Sequence, residues 1–169
     1  MGNITPYEGK TPLVHRGAFV DVSARIIGEV IVEEGVTIWP MAVLRADSAA
    51  IHIGRRSAIL DHAVIEAPEG CPARIEGGSL ISHGAIIHGA LIHTNTLIGI
   101  GAIVLDGAII SKGSIVGAGS VVTARTTIPP NSLVVGIPGR VIRETTEKER
   151  KEIRRELKDL YRKSRAYIR

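Results

Sequence analysis

Aliphatic residues recur along this chain at every sixth position, a spacing that fits neither the period of two of a strand nor the 3.6 of a helix. From Ile92 the series Ile92, Ile98, Val104, Ile110, Val116, Val122, Ile128 and Val134 runs unbroken. Val20, Ile26, Val32, Ile38 and Leu44 keep the same beat near the start, and Ile53, Ile59, Ile65, Ile75, Ile81 and Ile87 continue it. Self-similarity at a fixed period is the mark of a solenoid, in which each coil stacks on the last. Three such steps make one triangular coil of about 18 residues, each step a short β segment and a corner. Small residues four places after the aliphatic one, such as Ala24, Ala42, Ser48, Ala85, Thr96 and Ser120, are expected to face inward at corners too narrow for larger side chains. Glycines such as Gly89 and Gly107 fit the bends.

The beat slips between Leu44 and Ile53, between Ile65 and Ile75, and between Ile87 and Ile92. The second slip contains Pro68, Gly70 and Pro72, so residues 67–74 should bulge out as a loop. Irregularities in a regular scaffold are where sites are built. The repeat ends near Pro129–Pro130 and again at Ile137–Pro138–Gly139. Beyond it, Thr146 with Glu149 reads as a capping box, and Ile153, Leu157, Leu160 and Tyr161 fall on one helical face. The expected organisation is a β-solenoid over residues 1–140 and a C-terminal helix within 141–169 packed on it.

Composition narrows the function classes. Valine and isoleucine dominate while aromatics make up 3%, which suits a narrow core of stacked β-branched residues. The single cysteine, Cys71, excludes an intrachain disulfide framework and a cysteine-based structural zinc site within one chain. The N-terminus has no basic segment followed by an apolar core, and no stretch is apolar enough for a membrane span, so a cytoplasmic protein is expected. The net charge of +4 is concentrated in the tail, where residues 141–169 hold 11 Lys and Arg against 6 Asp and Glu. Stacking aromatics and a nucleic-acid-binding module are both missing, so no nucleic-acid partner is expected.

The chemistry-bearing residues gather around the slips. His83 and His88 sit five residues apart in ISHGAIIHG, too far apart to share a helical face as metal ligands. Ile65 and Ile87 are separated by one coil plus the inserted loop, so Glu66 and His88 should stack one above the other. Glu66 and His88 of one chain with His83 of another would give a three-ligand site of the His2Glu kind, which leaves a fourth zinc position open. Arg45 and Asp47 lie in the first irregular stretch and Asp61 in the next coil. An Arg–Asp pair there fits an interface salt bridge or the orientation of an anionic substrate.

These segments resemble the gamma-class carbonic anhydrase family, with its ferripyochelin-binding-like members. The resemblance rests on Arg45–Asp47, IHIG at 51–54, the segment ending at Asp61, ISHGAIIHG at 81–89, LIGIGAIVLDGAII at 97–110 and VVGIPGRVIRE at 134–144. It implies an all-β fold, a single-stranded left-handed parallel β-helix with a C-terminal α-helix, assembled as a homotrimer. It also implies zinc, or iron or cobalt, held between subunits. His83 and His88 match two of the family's three metal histidines, and Glu66 stands at the third. Arg45 and Asp47 match its interface pair, Asp61 its aspartate, and Leu60 replaces the glutamine that orients metal-bound water.

The activity implied is that of a lyase, reversible hydration of CO2 to bicarbonate by metal-bound hydroxide, with Arg45, Asp47, Asp61 and Glu66 as catalytic residues and His83, His88 and Glu66 as metal ligands. Glu66 and Leu60 depart from the family pattern in a direction that weakens hydration. Two alternatives stand beside it. One is a catalytically silent metal-binding or structural trimer. The other is a hexapeptide acyl-CoA-dependent acyltransferase with His83 or His88 as general base.

Overall fold

The computed structural model describes residues 3–167, so the outer ends of the two expected spans, residues 1–2 and 168–169, lie outside the described residues. The chain winds into a left-handed parallel β-helix of triangular section. The first face stacks Asn3–Thr5, the first half of Arg25–Val32, the first half of Val43–Ile53, Val64–Glu66, Ile86–His88, Ile103–Val104 and Val121–Val122. The second stacks Leu13–Val14, the remainders of the two long strands, Ala73–Ile75, Leu91–Ile92, Ile109–Ile110 and Thr127–Ile128. The third runs from Phe19–Val20 through Thr37–Ile38, Ala58–Ile59, Leu80–Ile81, Leu97–Ile98 and Ile115–Val116 to Ser132–Val135. There Arg140–Glu144 adds an antiparallel strand that closes the third sheet.

The sixfold beat is the interior. Ile26, Leu44, Ile65, Ile87, Val104 and Val122 form one fully buried column, and Ile38, Ile59, Ile81, Ile98, Val116 and Val134 another. β-branched residues suit this packing because their restricted side chains lose little freedom on the pleated wall. Each buried side chain contributes about 1.5–3 kcal/mol. The expected small corner residues are buried as well, with one exception. Ser48 is exposed, because the extra residues between Leu44 and Ile53 carry one long strand around the corner from the first face to the second.

The inserted loop occupies residues 67–72, shorter than expected because Ala73 and Arg74 already pair in the second face. It folds against Gly89, where φ is +59° and an added Cβ would lie 2.7 Å from Cys71 Cβ. Only glycine lets the loop close on this corner.

The helix α1, Glu147–Tyr167, lies along the third face. Ile153 and Leu157 are buried in a second apolar cluster with Phe19, Trp39, Leu60 and Leu80. Tyr161, expected on the buried face, is 41% exposed. The capping box forms. Glu149 N–H donates to Thr146 Oγ1 at 3.2 Å and Thr146 N–H donates to Glu149 Oε2 at 2.7 Å. Hydrogen bonds from Arg143 and from the Thr146 backbone hold the Glu149 carboxyl down to about 2.

Loss of the cap in Thr146→Ala should cost about 1 kcal/mol, or roughly 2–4 °C in Tm for a chain of this size. A carboxyl with a lowered pKa stabilises the fold while it is ionised. The Tm difference between wild type and Glu149→Gln should therefore be full above pH 4.5 and vanish as the pH falls through about 2, which calorimetry across that range would read.

Candidate functional site on two corners of the solenoid

A ribbon of alternating charge crosses four successive coils at the corner between the first and second faces. Arg45 pairs in register with Glu66, and Glu66 with His88, as the stacking of the strands requires. Arg45 Nη1 donates to Asp47 Oδ2 at 2.9 Å, and Nη2 donates to Glu66 Oε1. The other oxygen of Glu66 lies 3.7 Å from His88 Nε2. His88 Nδ1 donates to Asp106 Oδ1, one coil further on. The side chains of Glu66 and His88 are about two-thirds or more covered, at 26% and 32% exposure.

Charge balance along the ribbon explains its electrostatics. Glu66 first, then Asp47, raises the guanidinium of Arg45 above its ordinary value by hydrogen bonding. The hydrogen bond from His88 holds the Asp106 carboxyl below its ordinary value. Asp106 therefore remains an anion facing the ring, the arrangement by which a carboxylate fixes a histidine's tautomer and orientation.

His83 stands on another corner, where the third face turns into the first. Its Nδ1 lies 3.1 Å from Asp61 Oδ2, one coil below, and its side chain is 54% exposed. Among the described residues its Nε2 enters no hydrogen bond or ion pair. His62 is exposed on the same corner, at a turn with φ of +58°, away from Glu66. Leu60 faces the α1 cluster at 3% exposure, so its side chain serves helix packing and leaves neither corner short of a polar group.

The structure thus brings Arg45, Asp47, Glu66 and His88 together and joins His83 to Asp61 separately. Asp106 was missed by sequence reasoning, although the signal was present. It lies 18 residues beyond His88, a nominal coil of three six-residue steps and one place past the local strand register, in which Ile87 pairs with Val104. Two further histidines also face a carboxylate one coil away, with His52 on Glu33 at 2.8 Å and His93 on Glu76 at 3.0 Å.

No family model matches the chain. Among curated proteins it is 39% identical to a carbonic anhydrase of Geobacillus kaustophilus over 164 residues, 97% of this chain and 90% of the relative. It is 46% identical over 142 residues to a protein of Methanocaldococcus jannaschii provisionally named a carbonic anhydrase, 84% of this chain and 89% of that one. Among solved structures, a provisional acetyltransferase of Bacillus cereus superposes with a TM-score of 0.95 at 35% identity, covering 98% of this chain and 96% of that one. A hexapeptide transferase family protein of Anaplasma phagocytophilum superposes with a TM-score of 0.94 at 32% identity, covering 98% of each chain. The chain belongs to the hexapeptide-repeat family of left-handed β-helix proteins. Within the hexapeptide-repeat family it is related to gamma-carbonic-anhydrase-like and to acetyltransferase members alike.

The expected identity as a zinc-dependent carbonic anhydrase, a lyase acting on CO2, is corrected by two findings. The two hexapeptide-repeat structures that match almost end to end are described as transferases. Among the described residues, no group of three or more His, Cys, Asp or Glu side chains is arranged to hold a metal ion. Within one chain His83 is on a different corner from Glu66 and His88, as a site that takes His83 from another copy requires, and Glu66 is engaged by the Arg45 guanidinium. Kinship with proteins named as carbonic anhydrases leaves metal binding as a trait of the wider family and designates no metal and no site here. Among the described residues, no helix is long and apolar enough to cross a membrane.

If His88 holds Asp106 down, His88→Ala should release it. A carbon-detected carboxyl titration should place Asp106 in the variant close to the ordinary 3.8, above its wild-type value. An unchanged midpoint would mean that the pair does not form in solution.

Proposed function

We propose that this protein is an acyl-CoA-dependent acyltransferase of the hexapeptide-repeat family, with His83 as general base. The observation that carries the proposal is the end-to-end match, at 35% identity, to a provisional acetyltransferase. The His83–Asp61 pair supplies chemistry suited to it, because the side chain is half exposed while Nδ1 faces a carboxylate. A neutral imidazole at that position takes the proton from an amine or hydroxyl acceptor. The freed nucleophile attacks the thioester carbonyl, the carbon–sulfur bond breaks, and the thiol of coenzyme A leaves carrying the proton. Asp61 is the orienting group for His83. Arg45, steadied by Asp47 and Glu66, is suited to an anionic group of the acceptor or of the acyl donor. His88, anchored by Asp106, is suited to a hydrogen bond with the acceptor. The reading takes with it a homotrimer in the cytoplasm, in which the His83 corner of one copy meets the Arg45–His88 ribbon of the next.

A second reading, a metal-binding trimer without acyl transfer, is favoured by the relatives named as carbonic anhydrases. Zinc, iron or cobalt would then need His83 of one copy to meet His88 and Glu66 of another, with Glu66 released from Arg45.

Release of free thiol from acetyl-CoA in the presence of amine and amino-sugar acceptors tests the first reading. His83→Ala should lower kcat about 10²–10⁴-fold while the affinity for coenzyme A stays within about twofold. Failure to bind coenzyme A in calorimetry would sink the acyltransferase. One metal per chain in untagged protein, with no coenzyme A binding, would select the second reading.

A further inference from the structure

The third corner of the solenoid, where the second face turns into the third, carries neither of the features described above. It carries a groove. The groove lies between this corner and α1, with a volume of about 510 Å³, within the usual ~300–1,000 Å³ of small-molecule sites. Arg56 and Asn95 belong to the coils on either side of the one that turns at Gly78, and Arg154, Lys158 and Tyr161 come from α1. Glu34 also lines the groove.

Three features of the groove point to one kind of ligand. First, its lining holds three cations and one carboxylate. Arg154 is tied to Glu147 at 3.0 Å, but among the described residues Arg56 and Lys158 enter no ion pair, and Glu34 pairs with neither. Arg56 and Lys158 thus bring positive charge without an ion-pair partner to a concave surface, which focuses potential for an anion. Second, Tyr161 leaves 41% of its surface exposed at one end of the groove, next to the apolar Leu157. Its ring is stacked by Arg165 at 6.0 Å and offers a planar apolar wall. Third, the coil at Gly78 ends without a side chain. Here φ is +70° and an added Cβ would lie 2.9 Å from Asn95 Oδ1, so the lining at Gly78 is bare backbone.

We infer that this groove binds a nucleoside diphosphate group, its phosphates held by Arg56, Arg154 and Lys158 and its base lying against Tyr161 and Leu157. Arginine and lysine suit phosphate as fork and point charge respectively. Glu34 is placed to accept from sugar hydroxyls. Both a free nucleotide and the nucleotide end of coenzyme A carry this chemistry, and only the second source rests on the acyltransferase reading.

Calorimetry with ADP on the full chain tests the inference directly. Arg56→Gln with Lys158→Gln should weaken ADP roughly tenfold or more, the effect of two lost charge-assisted contacts. Tyr161→Ala should weaken ADP but leave inorganic pyrophosphate unchanged. Circular dichroism and Tm of the variants, all at exposed positions, check that the fold is kept. Competition separates the sources. Coenzyme A that displaces ADP, with a KM for acetyl-CoA raised in the double variant at unchanged kcat, assigns the groove to the acyl donor. Coenzyme A that binds alongside ADP assigns it to a free nucleotide. No ADP binding at millimolar concentration, or equal affinity in wild type and double variant, overturns the inference. Acyl transfer without ADP binding overturns it while leaving the acyltransferase standing, and ADP binding without acyl transfer does the reverse.

Discussion

The whole molecule hangs on the parallel register of one coil over the next. Ile26, Leu44, Ile65 and Ile87 are direct partners through three successive strand pairs. Backbone hydrogen bonds run along the stack, so each coil's polar groups are satisfied only by its neighbours. A residue too many cannot be absorbed inside such a column and must be pushed out. The loop at 67–72 and the corner-turning strand Val43–Ile53 are the two places where this happens, and both flank the Arg45–Glu66–His88 ribbon. The irregularity and the polar cluster are one feature.

Register also decides which charges can meet. Outward side chains at matching positions stand about 4.8 Å apart from coil to coil, so like charges there repel and opposite charges or hydrogen-bonding pairs are favoured. Four of the histidines, His52, His83, His88 and His93, accordingly lie against a carboxylate one coil away. This regularity weakens any claim that a histidine–carboxylate pair is by itself a mark of catalysis. What sets His83 apart is its exposure, the highest of the four. What sets His88 apart is a second carboxylate, Glu66, balanced by Arg45.

The fold was legible because the sixfold beat reports directly on the buried columns, and the stacking of Glu66 on His88 followed by counting residues. The nominal 18-residue coil points from His88 to Asp106, although the local strand register falls one residue short of it. The spacing of His83 and His88 already argued against one shared metal within a chain, and the structure places the two on different corners. Leu60 was weighed against a family position when its surroundings are the helix-facing cluster with Trp39 and Phe19. Tyr161 follows the apolar stripe of α1 yet stays exposed, beside a groove that it lines together with Gly35 and Gly78, which have no side chains to cover it. Helical periodicity marks a face and is silent on how closely that face is met.

The antiparallel strand Arg140–Glu144 gives the solenoid a direction of growth. Every earlier strand on the third face receives its neighbour in the same sense, so another coil could in principle be laid on top of any of them. Once the chain reverses at 136–139 and pairs back on Ser132–Val135, the next strand lies across that position, and α1 then returns along the outside of the same face. Length can therefore change only by inserting or deleting whole coils within the stack, and any such change would slide the helix along the third face relative to Phe19 and Trp39. The terminal hairpin and helix act as a gauge that ties the number of coils to a single value.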